Sequence, residues 1–196
     1  MHRFLSPVFL FAFCAVAGAN CPKWERLSVK VFNDANTGKG ILNSAKLEAG
    51  WLLKPLCIEP IWVECRIAAT EAETIPCEGP FGAVELRVSW NTKSAELSVL
   101  ALGIAFVGAN RVIIFLERIL ELVATNEGII DVGGLLGHVM AHEIGHLLLH
   151  STTHTGEGIM RSEFRRSDLK RAAQRHLTFT RDQVETIRRS LLMKIR

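Results

Sequence analysis

Five histidines recur at every fourth position between residues 138 and 154, and this spacing constrains the fold more than any other feature. The segment reads HVMAHEIGHLLLHSTTH. Residues four apart lie on the same face of an α-helix, and most of the positions between the first four histidines are apolar. The pattern predicts a helix from Val132 to about Leu149. Asp131 directly precedes it and is of the residue type that caps helix N-termini.

Metal coordination separates these histidines into groups. Successive members of the row lie ~6 Å apart along the helix axis, so a third member starts ~12 Å from the first. Zinc–nitrogen bonds of about 2.1 Å require all donor atoms to converge on one point. A straight helix can therefore supply only two ligands, and the third must come from chain that has turned back.

One pair of histidines has a glutamate between them, and a glutamate can act as a base in hydrolysis. His142-Glu143-Ile144-Gly145-His146 has the pattern HExxH. In this pattern two histidines one helical turn apart bind zinc, and the glutamate between them acts as a general base on water. We therefore predict His142 and His146 as zinc ligands and Glu143 as the catalytic base.

The longer stretch AHEIGHLLLHSTTHTGEGIM resembles the active site of metzincin metallopeptidases. That superfamily has an extended HExxHxxGxxH motif, followed by a methionine in a tight turn beneath the metal. His142 and Met160 are eighteen positions apart, as in matrixin-type members. The sequence departs from the motif at two places, because Leu149 stands where the family has glycine and Thr152 where it has the third histidine.

The third ligand is predicted to be His154, with Met160 in the Met-turn. His150 follows the helix at once, and it either points too far along the axis or takes a left-handed backbone conformation, which histidine tolerates. His138 lies one turn before the ligand pair and is expected to be a hydrogen-bonded histidine. Glu157 and Glu163 remain alternatives, because another HExxH class uses a downstream glutamate as its third ligand.

The order of predicted elements is typical of an α+β protein. Strands are predicted at 27–31, 61–63, 84–90, 98–107 and 111–116, and helices at 41–52, 116–123, 132–149 and 180–195. The resemblance implies an α/β-like N-terminal subdomain with a twisted mixed sheet, a backing helix, an active-site helix and a C-terminal helix. Pro55 should end the first helix, and Thr180 should cap the last one.

The first residues have the features of a secretory signal peptide. A basic start, an apolar run and the small residues Ala17-Gly18-Ala19 predict a signal peptide over 1–19 and a single domain over 20–196. The apolar run is short for a membrane span, so we expect no stable membrane anchor after its removal. The protein is therefore expected to be secreted or periplasmic, where its four remaining cysteines should form two disulfides in one of three connectivities.

The charge of the chain does not favour nucleic acid as a partner. The formal net charge is +3, with +7 in residues 161–196 and −4 in the rest. The basic residues of that segment alternate with apolar ones at helical spacing, which indicates a solvated helix face.

Together these features predict an exported zinc-dependent peptidase, most simply a metalloendopeptidase. The resemblance implies a peptide or protein substrate that lies extended along an edge strand, for which residues 99–105 are the candidate. The chain has no tyrosine, so an oxyanion would be stabilised by zinc and backbone donors. Two rivals stay open: a zinc hydrolase of a non-peptide amide, and a non-catalytic binding module stabilised by zinc.

Overall fold

A computed structural model describes residues 21, 23–65, 77, 82–90 and 101–193. The predicted signal peptide and the first three residues of the predicted 98–107 strand lie outside these residues. The strands are Glu25–Phe32 (β1), Ile58–Cys65 (β2), Val84–Ser89 (β3), Gly103–Phe106 (β4) and Arg111–Phe115 (β5). The α-helices are Lys39–Leu53 (α1), Leu116–Thr125 (α2), Val132–Leu149 (α3), Arg166–Ala173 (α4) and Arg181–Met193 (α5).

The strands form one mixed sheet, and the predicted α+β class is confirmed. The strand order is β2-β1-β3-β5-β4, in which β4 alone runs antiparallel to its neighbour. Parallel neighbours need a crossover connection, and α1 provides it between β1 and β2. In β3 the residues Val84, Leu86 and Val88 are buried, as the alternating sequence predicts. Strand β4 lies at one end of the sheet order, so one of its edges has no strand partner in the described part.

Three elements differ from the sequence-based expectation, and one is β4, whose four residues are fewer than the strand predicted over 98–107. Strand β2 extends well beyond the predicted 61–63 and includes Pro60. A proline is tolerated there because β2 is an edge strand, where a missing N–H need not break a ladder. Helix α4 was not predicted, since it is short, half of its residues are charged, and it buries only Asp168, Leu169 and Ala172.

Helix α3 packs closely against α1 because glycines remove side chains at their contact. A Cβ on Gly137 would lie 2.6 Å from the Cβ of Glu48 and 2.7 Å from the carbonyl oxygen of Ala45. A Cβ on Gly133 would lie 2.7 Å from the Cβ of Ser44. Helix α3 is apolar around most of its circumference, as expected of a helix covered on several sides. This packing fixes the helix that carries the predicted zinc ligands.

The four cysteines after the predicted signal peptide are paired. Cys21 bonds to Cys57 and Cys65 bonds to Cys77, with Cα–Cα distances of 5.4 and 5.3 Å. The structure thus selects one of the three connectivities that the sequence allowed. In the part of the chain that the structure describes, no helix has both the length and the apolar character to cross a bilayer.

Candidate metal centre and active-site cleft

Helix α3 brings the first two histidines together. Asp131 caps the helix as predicted, since its carboxylate accepts a hydrogen bond from the Gly134 N–H at 2.9 Å. One turn separates His142 from His146, and both side chains are buried. Their Nε2 atoms lie 3.1 Å apart. The helix therefore presents two ring nitrogens to one point.

The chain reverses directly after α3 and returns a third imidazole to the same point. His150 ends the helix in the left-handed region, with φ 49° and ψ 38°. The N–H of Ser151 donates to the carbonyl oxygen of His146 at 3.2 Å, which closes the last turn. His154 then places its Nε2 atom 3.3 Å from that of His146. The three histidines each offer one ring nitrogen within 4.8 Å of the others.

Backbone carbonyls orient the two helical imidazoles. His142 donates its Nδ1–H to the carbonyl oxygen of Ile159 at 2.7 Å, and His146 donates to that of Ser151 at 2.8 Å. Such bonds fix the tautomer in which Nε2 carries the free lone pair, which is how metal-binding histidines are usually held. Burial lowers the pKa of His142 to about 3 and also lowers the pKa of His146, which favours neutral rings. This donor set fits a zinc ion.

Glu143 lies beside this group and is almost fully buried. Burial raises the pKa of its carboxyl group to about 8. The carboxyl group rests against strand β4, since a Cβ on Gly103 would lie 2.8 Å from Oε1 of Glu143. The missing side chain of Gly103 therefore leaves the space that the Glu143 side chain occupies.

Met160 packs beneath the histidines in a tight turn. Its side chain is buried, and its sulfur lies 2.6 Å from the place that a Cβ on Gly145 would occupy. Gly145 lies between the two helical histidines in the sequence, so the turn contacts α3 at the segment that carries them. Gly158, two residues before Met160, has φ +69°, a backbone conformation that glycine adopts without strain.

One cleft opens onto the three histidines and Glu143. Strand β4 and the residues before it line one part, and the segment after Met160 lines another. The second segment includes Phe164, whose ring meets that of His142 edge-on with centroids 5.9 Å apart. The buried carboxylate of Asp168 holds this segment by accepting from Nη1 of Arg161 at 3.1 Å and from the N–H of Arg165 at 3.1 Å.

The other sequence candidates do not join the three-histidine group. His138 is buried and donates its Nδ1–H to the carbonyl oxygen of Gly134 at 3.0 Å. His150 forms the reversal and does not belong to the three-histidine group. Glu163 lines the cleft but, like Glu157, is not a member of that group among the described residues.

Sequence reasoning missed three contributors to the site. The ring of Phe164 and the pair of Arg161 with Asp168 belong to a segment without periodic signal. The third contributor is Gln183, whose side-chain amide donates a hydrogen bond to the hydroxyl group of Thr155, the residue next to His154. The two residues are 28 positions apart. In the sequence Gln183 is marked only by the pattern Thr180-x-x-Gln183, which is typical of a helix N-terminus.

Comparison with solved structures identifies the fold. The chain is similar to a zinc-dependent peptidase from Methanocorpusculum labreanum, with a TM-score of 0.57 and 15% identity over 81% of this chain and 99% of the other. It is also similar to archaemetzincins from Methanopyrus kandleri (TM-score 0.57, 14% identity, 91% and 99% covered) and Archaeoglobus fulgidus (TM-score 0.51, 17% identity, 83% and 99% covered). The chain shares the fold of these peptidases.

Comparisons with protein-family models and with curated proteins give no match. At such identities the structural similarity concerns the fold alone, and the chemistry of this chain has to be argued from its own side chains.

Proposed function

We propose that this chain is an exported zinc-dependent endopeptidase with a metzincin-like site. His142, His146 and His154 hold the zinc ion, Glu143 is the general base and acid, and Met160 forms the Met-turn. The observation that carries the proposal is the convergence of three histidine nitrogens beside a buried carboxyl group. A site that only stabilised the fold would have no use for such a group.

Zinc, when bound, lowers the pKa of a water molecule and polarises the carbonyl group of the scissile bond. Glu143 supplies the proton transfer. Its carboxylate takes a proton from the attacking water and later delivers it to the leaving amine. Burial favours the protonated form of the Glu143 carboxyl group, which is the form that it takes between the two steps.

The cleft offers a place for an extended substrate. Its wall includes residues 101–105, which belong to the predicted substrate-binding stretch 99–105. Strand β4 pairs with β5 on one side only within the described sheet. An extended peptide could add to the other side by backbone hydrogen bonds, while its side chains enter the cleft.

Export is supported by the cysteines. Two disulfides are typical of proteins in an oxidising compartment, such as the periplasm or the extracellular space. The signal peptide over 1–19 remains a prediction from the sequence. Removal of that segment would leave Cys21 as the second residue of the mature chain.

The function can be tested with Glu143→Gln, which removes the base but no ligand. We expect the variant to bind zinc as the native chain does and to lose cleavage of casein or a peptide library by at least about a hundredfold, the lower range for a general base. Glu157→Gln is the matched control, since Glu157 is exposed on the loop beside the site.

Three outcomes would contradict the assignment. Unchanged cleavage by Glu143→Gln would remove Glu143 from the mechanism, and loss of zinc would show that it is a ligand. A native chain that binds zinc and hydrolyses only non-peptide amides would point to the rival class of zinc hydrolase.

A further inference from the structure

The third histidine is held differently from the other two. His142 and His146 each donate Nδ1–H to a backbone carbonyl. Within the described residues His154 makes no such bond, and its side chain is exposed. Apart from the contacts of its ring with those of His142 and His146, the position of His154 therefore depends on the backbone of its own loop.

That loop is closed at the residue next to His154. The N–H of Thr155 donates to the carbonyl oxygen of Met160 at 2.8 Å. The hydroxyl group of Thr155 donates to the carbonyl oxygen of Glu157 at 2.7 Å. The first bond joins the two ends of the segment between His154 and the methionine, and the second holds Thr155 to the interior of that segment. A shift of Thr155 would therefore carry the imidazole of His154 with it.

Gln183 of helix α5 fixes Thr155 from outside the loop. Its side chain is buried, and its Nε2 donates to the hydroxyl oxygen of Thr155 at 3.0 Å. Its Oε1 accepts from the N–H of Thr180 at 2.8 Å, so the amide cannot rotate without losing a partner. The Thr155 hydroxyl thus donates to one group and accepts from another, which satisfies both of its roles.

A second contact joins the same two segments. The N–H of Ile159 donates to the carbonyl oxygen of Thr178 at 2.9 Å. A Cβ on Gly158 would lie 2.8 Å from Cγ2 of Thr180 and 2.9 Å from the Thr178 carbonyl oxygen. The chain before α5 therefore lies directly against the loop that carries His154.

We propose that Gln183 is a positioning residue for the zinc ligand His154 and acts through Thr155. The proposal rests on the function above in one respect, namely that the three histidines bind zinc. The alternative is a purely structural role, in which Gln183 only caps α5 through Thr180. The bond from Nε2 to Thr155 distinguishes the two roles, because a helix cap needs only the side-chain oxygen.

The test is the zinc affinity of the full chain, measured by competition with a chromogenic chelator. Gln183→Met keeps the length of the side chain and removes both polar atoms, and Gln174→Met is the matched control at an exposed glutamine. We expect Gln183→Met to weaken zinc binding by about tenfold, at the low end of the roughly 10–100-fold found for partners that orient ligands. Gln174→Met should bind zinc as the native chain does.

Thr155→Val separates positioning from capping. It removes the hydrogen bond to Gln183 from the loop side, together with the bond that the hydroxyl group donates to Glu157, and leaves the cap of α5 intact. If Gln183 acts through Thr155, the double variant should bind zinc no more weakly than Thr155→Val alone, because interacting residues are non-additive. The cobalt(II) absorption spectrum should change in both single variants if the third ligand has moved.

The possible outcomes distinguish a failure of the positioning role from a failure of the proposed function. Native-like zinc affinity in Gln183→Met, or additive losses in the double variant, would overturn the positioning role and leave the proposed function intact. Should Gln183→Met not fold, native-like affinity in Thr155→Val would overturn it equally. A native chain that takes up no zinc would overturn both proposals.

Discussion

The backbone at His150 determines which histidine can join the helical pair. Its left-handed conformation ends α3 and turns the chain, so that His154 rather than His150 meets His146. We predict that His154→Ala yields a largely zinc-free protein, because a three-ligand site loses one donor. His150→Ala should retain zinc, with a modest loss of stability from alanine in a left-handed position. Zinc content after dialysis checks both variants, and zinc loss only in His150→Ala would reverse the assignment.

His138 makes the stability of the zinc-free protein depend on pH. Burial lowers the pKa of His138, and the bond to Gly134 and the Glu48 carboxylate 4.0 Å away only partly offset this. Below about pH 6.5 the unfolded chain binds a proton that the folded chain does not, so stability is lost as the pH falls.

His138→Leu should remove this contribution. Between pH 7.5 and 5.5 the unfolding free energy of the zinc-free native chain should fall by more than that of the variant. Urea denaturation at both pH values measures it. His176→Leu, at an exposed histidine, should follow the native chain, and an equal pH slope in His138→Leu would rule out the effect.

At the scale of the elements, the contact between α1 and α3 depends on missing side chains. Gly137→Ala should lower the free energy of unfolding by about 1–3 kcal/mol, the usual cost of overpacking, because its Cβ would meet backbone and Cβ atoms of α1. Gly40→Ala is the matched control in α1, where a Cβ meets nothing within 4 Å. That variant should gain up to about 1 kcal/mol from helix propensity. Denaturant unfolding of both measures the difference, and equal effects would contradict the packing argument.

The elements differed in how well the sequence predicted them. Helix α3 and strand β3 were predicted because their apolar periods are clear and Asp131 is a strong cap. Helix α4 escaped prediction because it is short and charged, and its stability comes from burial of Leu169 and from the Arg161–Asp168 pair. No local pattern encodes such tertiary contacts.

Within the site, too, the residues of a local motif could be predicted and the long-range contacts could not. His142, Glu143 and His146 form one local motif, and the turn before His154 contains small polar residues, so these positions could be predicted together. The contacts of Gly103 with Glu143 and of Gln183 with Thr155 join segments 40 and 28 positions apart. The sequence marks neither pair, since a glycine in a strand and a helix cap each have simpler explanations.

At the scale of the whole molecule, the two disulfides should contribute unequally. Cys21 and Cys57 are 36 positions apart, whereas Cys65 and Cys77 are 12 apart. In the loop-entropy model the longer loop stabilises by about 4 kcal/mol and the shorter by about 3 kcal/mol. Urea unfolding of Cys21→Ser/Cys57→Ser and of Cys65→Ser/Cys77→Ser tests this order, and a larger loss from the shorter loop would contradict it.

The three donor histidines all lie within the thirteen positions from His142 to His154. Because so short a segment keeps its imidazoles near one another even without the fold, the unfolded chain also retains affinity for the ion. A ligand that binds both states stabilises the folded state only by the difference between its two affinities. Zinc should therefore raise the free energy of unfolding by less than its affinity for the folded protein alone would give. The same proximity allows a newly synthesised chain to capture its ion before the C-terminal helix has docked, so metal loading and folding need not follow a fixed order.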